Sequence, residues 1–439
     1  MRAHKLLVAA ALLLLSLGAM AQKGSQNSAV TTAKAPILHA DSPSAIPGQY
    51  IVVFKDSVGR SAMTTVADMV DLNRGNNPQA MRYITINGFA AKIAPGILRQ
   101  IQDNSDVAYI EQDQRVSLSA NQSNPPWGLD RIDQCALPLD NNYNYNFDGT
   151  GVTAYILDSG VCNHADFGGR FSTSGYTPPF PSNPCNSSNS GHGTHVAGTV
   201  GGATYGVAKN VDLVDVPVLD GNGNGTISSV VGGVDWVAAN HSSPAVANMS
   251  LGGGASTTLD NSVNNAVAAG VFFAVAAGNS NANACNSSPA RAADAYTVGS
   301  TTSSDARSSF SNFGTCLDIF APGSSIQSTW NTGFNSTATI SGTSMASPHV
   351  AGVAALILDA NPSASPSSIA STLDNWAAIN YLSGIGPGSP NALLQNQQNN
   401  CPPGGGGGGP SCLPSGSACS SNSDCCSNSC SGWFTLTCN

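Results

Sequence analysis

The sequence predicts an α/β protein: a doubly wound, mostly parallel sheet, with a small α+β unit before it and a small disulfide-rich unit after it. Three observations carry the prediction. Apolar, strand-like runs recur at 152–158, 211–220, 246–252, 271–279 and 317–323. Helix-like stretches fall among and after them, at 192–202, 226–240, 256–269, 344–359 and 365–376. Continuously apolar strands that alternate with helices are buried on both faces, which is the condition of a parallel sheet. Such sheets place their sites just beyond the carboxyl ends of the strands. The third observation is length, since 439 residues suffice for two or three domains, one with a large core.

The elements follow in order. Basic residues Arg2, His4 and Lys5, an apolar run at 6–17 and the small-residue step Ala19-Met20-Ala21 make a secretory signal peptide, with cleavage expected after Ala21. The run is too short to span a membrane, which takes about 18 apolar residues. An exported, soluble protein is therefore expected, and its twelve cysteines are expected in disulfides. A net charge of −9 with 9% charged residues leaves no basic surface for nucleic acid or anionic membranes.

Residues 22–47 are polar and without apolar periodicity. A strand and turn at 48–59, a helix at 66–72, a hairpin at 83–93, a helix at 95–104 and a strand at 107–118 then compose the α+β unit. The large domain is read at 120–394. A Gly/Pro-rich linker at 395–411 contains six consecutive glycines. Beyond it, 412–438 holds six cysteines in a stretch too short to bury a core.

Three stretches stand where an α/β sheet places its site. "YILDSG" ends a strand on Asp158, "GHGTHVAG" opens a helix on His192, and "GTSMASPHVAG" opens another around Ser344. Singly, each has an ordinary explanation: a turn aspartate, a loop histidine, a helix-capping hydroxyl. Together they supply a nucleophile, a base to take its proton, and an acceptor that orients the base. The chain order Asp, His, Ser is that of one of the three unrelated serine hydrolase arrangements.

With "SLGGG" (250–254) and "AAGN" (276–279), these motifs resemble the subtilisin-like serine proteases of the proteinase K group, closest to the aqualysin-like secreted enzymes, over residues 48–394. The resemblance implies a catalytic triad of Asp158, His192 and Ser344. It also implies an oxyanion hole made by the Asn279 amide and the Ser344 backbone N–H. Ser250, Leu251, Gly252, Gly253, Ala276, Ala277 and Gly278 are the implied pocket walls, and Gly223, Asn224 and Gly225 the implied edge for an extended peptide. Walls without a carboxylate imply a broad preference for apolar or aromatic side chains.

The family further implies that 22–119 is a propeptide, with an inhibitory domain at 48–119, cleaved near Ser119-Ala120. Structural calcium is implied at Asp130, Asp133, Gln134, Asp140 and Asn142, all oxygen donors of the kind Ca²⁺ takes, although a solvated Asp/Asn-rich turn would read the same. A second implied site uses Asp318 and the backbone carbonyls of Ala293 and Ala295. A further acidic calcium loop of some relatives is replaced here by "SGYTPPFPSNPCNSSNS" at 174–190.

Among the cysteines, Cys285 and Cys316 match a family disulfide. Cys185 matches another family cysteine, but Gly221 stands at its usual partner's position. The resemblance thus implies a rewired pairing, Cys162 with Cys185 and Cys135 with Cys401. The tail spacing resembles a cystine-knot miniprotein, whose pattern would join Cys412 to Cys426, Cys419 to Cys430 and Cys425 to Cys438, one of fifteen possible connectivities. Trp433 and Phe434 would form either a binding face or the knot's apolar packing.

The function expected is that of a secreted, monomeric, calcium-stabilised serine endopeptidase made as an autoprocessed precursor. It would act on proteins and peptides and be held inactive by its own propeptide, without nucleic acid or membrane partners. A catalytically silent secreted binding protein that uses the knot is the alternative. A zinc hydrolase using His192 and His195 is disfavoured, because a bare His-x-x-His lacks a nearby carboxylate.

Overall fold

The central strands of the large sheet divide their side chains between two cores. In the strand that ends on Asp158, Ala154 and Ile156 pack with Val196, Val200 and Ala351, while Tyr155 and Leu157 pack with Val230, Val234 and Val263. A two-residue alternation between two apolar layers is what a strand covered on both faces requires. The computed structural model describes residues 34–40, 45–70, 80–83, 85–114, 120–181, 183–186, 190–397, 399, 401–402, 430–431 and 437–438. The signal segment, Ser119 and most of the cysteine-rich tail lie outside the described residues, so the proposed cleavage sites and knot pairings do too.

The chain divides into two compact units, one built from the residues up to Leu38 with Tyr50–Glu111, the other from His39–Gln49 with Gln112 onward. The first contains β1 (Ile37–Leu38), the second half of β2 (Ala45–Phe54), α1 (Arg60–Asp68), β3 (Met81–Arg82), β4 (Gly88–Lys92), α2 (Pro95–Gln102) and all but the last residues of β5 (Val107–Gln114). Its strands lie in the order β1-β5-β2-β4-β3. Val52, Phe54, Phe89, Ile101 and Ile110 form the centre of its core. The first helix starts six residues before the expected position. The reason is that Met63, Val66, Ala67 and Val70 already recur at helical spacing, and all four are buried.

The larger unit begins with β6 (Ala120–Ser123), α3 (Trp127–Ile132), β7 (Asn142–Tyr145), β8 (Thr153–Asp158), β9 (Phe171–Thr173), α4 (His192–Gly201) and β10 (Asp212–Pro217). Then come α5 (Ile227–Asn240), β11 (Ala245–Met249), β12 (Gly253–Gly254), α6 (Thr257–Ala268), β13 (Phe272–Ala276), β14 (Ser287–Ser288), β15 (Tyr296–Thr301) and β16 (Ile319–Pro322). It ends with β17 (Ile326–Thr329), β18 (Thr337–Ile340), α7 (Thr343–Ala360), α8 (Pro366–Trp376), β19 (Ala378–Ile379) and β20 (Ala392–Leu393). A last short antiparallel pair, β21 (Cys430–Ser431) and β22 (Thr437–Cys438), sets Cys430 opposite Cys438.

Nine strands form the main sheet in the order β19-β20-β16-β15-β13-β11-β8-β10-β9, with every pair parallel except β19 and β20. From β8 the chain runs to β9 and β10 on one side, then crosses to β11 on the other. The carboxyl end of β8 is therefore the switch point of the topology, where open α/β sheets form their crevice. Asp158 occupies it.

Several elements were not anticipated, among them β6, β7, β9, β15, the β17–β18 hairpin and α3. β15 is fully buried yet reads "YTVGST", too poor in large apolar residues to announce a strand. The hairpin of β17 and β18 and the six-residue α3 are likewise too short to show a period.

Disulfides join Cys135 to Cys401, Cys162 to Cys185 and Cys285 to Cys316, with Cα separations of 5.3, 4.9 and 5.3 Å. The first of them extends the packed domain beyond the expected boundary at 394. Gln395 and Asn396 are buried, and the Asn396 N–H donates to the Ile132 carbonyl at 2.7 Å. Gln395 and Asn396 therefore pack with the large domain. Among the described residues no helix is long and apolar enough to cross a membrane.

Candidate active site

The end of β8 holds Asp158 fully buried, and its carboxylate accepts the Ser159 N–H at 2.7 Å. His192 opens α4 directly opposite. Its Nδ1 lies 2.8 and 3.0 Å from the two Asp158 oxygens. An ionised carboxylate only accepts, so Nδ1 carries the proton and Nε2 keeps its lone pair. The approach is close because Gly193 has no side chain: a Cβ there would lie 2.5 Å from the Gly160 carbonyl oxygen. Burial draws the His192 pKa down, but the charge of Asp158 and the hydrogen bond to it prevail and raise it above 6.5.

Ser344 sits in the first turn of α7, where backbone N–H groups have no helical partner. Its Oγ donates to the Ser250 carbonyl at 3.1 Å. Among the described residues no hydrogen bond joins it to His192, although the sequence reading expects the three groups in one chain. The Ser250 carbonyl is the acceptor this hydroxyl meets here, and such catalytic bonds often tighten only when substrate is seated.

Asn279 lies across from this turn. Its Oδ1 accepts the Thr343 N–H at 2.8 Å and the Thr343 hydroxyl at 2.9 Å. With the oxygen so engaged, the amide nitrogen faces the other way. A Cβ built on Gly342 would lie 3.5 Å from both Asn279 Nδ2 and the Ser344 nitrogen, so these two nitrogens border the same space. The positive end of the α7 dipole lies at the same place. Such a space can hold an oxygen that gains negative charge.

Two adjoining clefts meet here. One is lined by Asp158, His192, Gly223, Asn224, Gly225 and Ser250–Gly253; the other by Leu251–Gly254, Ala276–Asn279, Thr343 and Ser344, so they share Leu251, Gly252 and Gly253. Every sequence-predicted wall residue therefore faces one or the other. A Cβ on Gly253 or Gly254 would meet nothing within 4 Å, so packing does not demand glycine there and the space belongs to the cleft. No Asp, Glu, Lys or Arg lines the second cleft. The sequence reading missed Leu219, Ile227, Val230 and Leu259, which give the first cleft an apolar wall. Helical spacing from Ile227 to Val230 was the available signal, but it reads equally as core.

His195, one turn on from His192, is buried, with Nε2 3.0 Å from the Ile326 carbonyl and a pKa lowered to about 4, chiefly by burial. It belongs to the core.

The first set of proposed calcium residues runs from Asp130 in α3 through the connection to Asn142 at the start of β7. Asp130 accepts the Asp140 and Asn141 N–H groups, Asp133 accepts both nitrogens of Asn144, and Gln134 Oε1 accepts the Asp140 N–H. Asn142 completes the set, donating its N–H to Asp140. Among the described residues no three His, Cys, Asp or Glu side chains converge as a ready-made metal cluster. Yet the buried Asp133 Oδ1 has no hydrogen-bond donor. Its carboxyl is pushed up to about 6 by burial, with Asp140 and Asp130 adding like charge. An all-oxygen set with surplus negative charge fits a hard cation. Elsewhere, Asp318 accepts the Thr297 N–H at 2.6 Å, and Ala293 and Ala295 lie on the segment leading into β15. A single carboxylate makes that second site a weaker fit.

Comparison with known proteins places these features. Residues 149–402 match the family described as Subtilase family, and residues 49–119 match Peptidase inhibitor I9. The chain is 51% identical over 379 residues to an alkaline serine exoprotease A of Vibrio alginolyticus, covering 83% of this chain and 70% of that relative. It is 48% identical over 404 residues to an extracellular serine proteinase of Thermus sp. strain Rt41A, covering 87% and 97%. The crystal structure of a cold-adapted subtilisin-like serine proteinase superposes with a TM-score of 0.59 at 59% identity, covering 62% of this chain and 99% of that one.

Proposed function

Since the chain belongs to the subtilase family, we propose that it is a secreted serine endopeptidase in which Ser344, His192 and Asp158 act as nucleophile, base and orienting carboxylate. The observation that carries this reading is that Asn279 Nδ2 and the Ser344 nitrogen border one space, with His192 held by Asp158 in the adjoining cleft. His192 Nε2 takes the proton of Ser344 Oγ as that oxygen bonds to the scissile carbonyl carbon. The carbonyl oxygen, now negative, lies between the two donors. His192 then gives its proton to the leaving amine, and water repeats the sequence on the acyl-enzyme.

The uncharged cleft favours apolar or aromatic residues before the scissile bond. The N-terminal inhibitor-type domain is removed at Ser119-Ala120 by the enzyme itself. The signal peptide ends at Ala21, and the mature enzyme is a monomer of the aqualysin-like group. Digestion of unfolded casein tests the activity. Internal fragments cut after large apolar residues are expected, all lost after fluorophosphonate treatment. Release of terminal residues only, or cutting that ignores the reagent, would refute the endopeptidase reading.

The pH dependence follows from the His192 environment. Neutral imidazole is the working form, so kcat/KM should rise with pH through a value above 6.5, because Asp158 keeps the proton on longer. Asp158→Asn removes both upward influences and leaves burial. Its acid limb should move below 6.5, with kcat lower by about 10⁴, the loss known for the same change in a serine protease triad. A pH–rate profile of both enzymes checks this.

Calcium would be held by Asp130, Asp133, Gln134, Asp140 and Asn142, where it would cancel surplus charge and tie the 130–142 loop. A ligand at about 100 times its Kd contributes about 2.7 kcal/mol, and at this domain size that corresponds to about 5–10 °C in Tm. Chelation should lower Tm by that amount, and Asp133→Asn should abolish the response. Equal chelator sensitivity in both proteins would remove the loop from consideration.

A further inference from the structure

Pro348 lies inside α7, four residues after Ser344. A helical carbonyl ordinarily accepts the N–H four residues on, and proline has none. The Ser344 carbonyl is therefore deprived of its helical donor. Ser250 Oγ donates to it instead, at 2.7 Å. The Ser250 oxygen in turn accepts Asn248 Nδ2 at 2.8 Å, and Asn248 Oδ1 accepts the Ser347 hydroxyl at 2.7 Å. Asn248, Ser250 and Ser347 are 1, 3 and 0% exposed.

The chain of bonds has one direction. A hydroxyl carries a single proton; because the Asn248 amide donates to Ser250, that proton is left for the Ser344 carbonyl. The amide cannot reverse, because the Ser344 carbonyl only accepts and so takes the Ser250 proton, which leaves Nδ2 to face Ser250 and Oδ1 to accept the Ser347 hydroxyl. The path leaves α7 at Ser347, crosses the end of β11 and returns to α7 at Ser344. Ser250 also begins the cleft wall, and its own carbonyl accepts Ser344 Oγ.

We infer that Asn248, Ser250 and Ser347 are positioning residues, a directed hydrogen-bond chain that replaces the donor Pro348 withholds and so locks the nucleophile's backbone to the wall of the cleft. The inference rests on Ser344 being the nucleophile proposed above. With its carbonyl unmade, the peptide after Ser344 is free to turn, and the hydroxyl and the N–H beside it lose their fixed relation to Asn279. Asn248 and Ser347 touch neither cleft, so their effect should appear in kcat and not in KM.

The test is a double-mutant cycle on processed enzyme, with active sites counted by fluorophosphonate titration. Ser250→Ala and Asn248→Ala should each lower kcat per titrated site about 10-fold, the scale of one hydrogen bond. KM for a peptide substrate should change by less than about twofold for Asn248→Ala. Ser347→Ala, the mildest change, should cost about threefold. Pro348→Ala restores an N–H to the Ser344 carbonyl, so in that background Ser250→Ala should cost no more than about threefold. An undiminished loss there would overturn the replacement argument. Lowered melting temperatures with unchanged kcat per site would overturn the positioning role. Wild-type enzyme that takes up no reagent would overturn the parent reading, an outcome distinct from both.

Discussion

Replacing Ser344 by alanine should lower kcat for peptide hydrolysis by about 10⁶, the size of the loss found for the corresponding serine of subtilisin itself. The residual rate, from oriented donors and substrate binding alone, should still exceed that of water. Binding of a peptide in the cleft should be nearly unchanged, because the walls Ser250–Gly253 and Ala276–Gly278 remain. The same substitution should leave the precursor joined across Ser119-Ala120. An intact-mass measurement of purified Ser344→Ala protein, set beside its kcat, checks both. A variant that still matures unaided and hydrolyses within about 10-fold of the parent would exclude Ser344 as nucleophile.

Asn279→Ala should have the next largest effect, a loss of about 10² to 10³ in kcat with KM almost unchanged, again a magnitude taken from the equivalent subtilisin asparagine. The physical reason is selective: Nδ2 faces the space above Gly342, where charge gathers only as the carbonyl carbon becomes tetrahedral. Asn279 also serves the ground state, since its Oδ1 accepts two bonds from Thr343. Alanine would therefore also loosen the start of α7. Asn279→Asp keeps an acceptor for Thr343 and removes the amide donor. If the hole is what matters, it should lose at least as much kcat as alanine. Steady-state kinetics of the two variants side by side would separate the roles, because a purely structural asparagine would leave the aspartate variant the more active.

What was legible in the sequence had strong local signatures. β8 and β13 are continuous apolar runs because both their faces are buried, and they appeared at once. The site motifs were legible because glycine, the only residue that permits the close approach of Gly193 to Gly160, marks them. Elements whose burial rests on small residues were not. β15 sends only Tyr296 and Val298 into the apolar core and is otherwise Thr, Gly and Ser, too small an apolar run to mark a strand.

The candidate site divides in the same way. Residue identities could be named from motif order, but the rotamer of Ser344 could not, since its choice of the Ser250 carbonyl depends on which acceptor the fold sets nearest. The chain through Asn248 and Ser347 was equally hidden. Asn248 sits in a strand whose neighbours are all apolar, and only the three-dimensional path shows what it donates to. Polar "QNQQNN" reads as linker, whereas Gln395 and Asn396 are buried, Asn396 donates its N–H to Ile132, and Cys401 is joined to Cys135.

The central claim is that one serine hydroxyl, beside two donors and one oriented imidazole, is the reacting group of this protein. Labelling the processed enzyme with a fluorophosphonate, followed by peptide mapping, tests it most directly. The predicted result is one adduct per chain, on Ser344, formed at least 10³ times more slowly in His192→Ala. An adduct on another serine, or none on wild-type enzyme, would contradict the account.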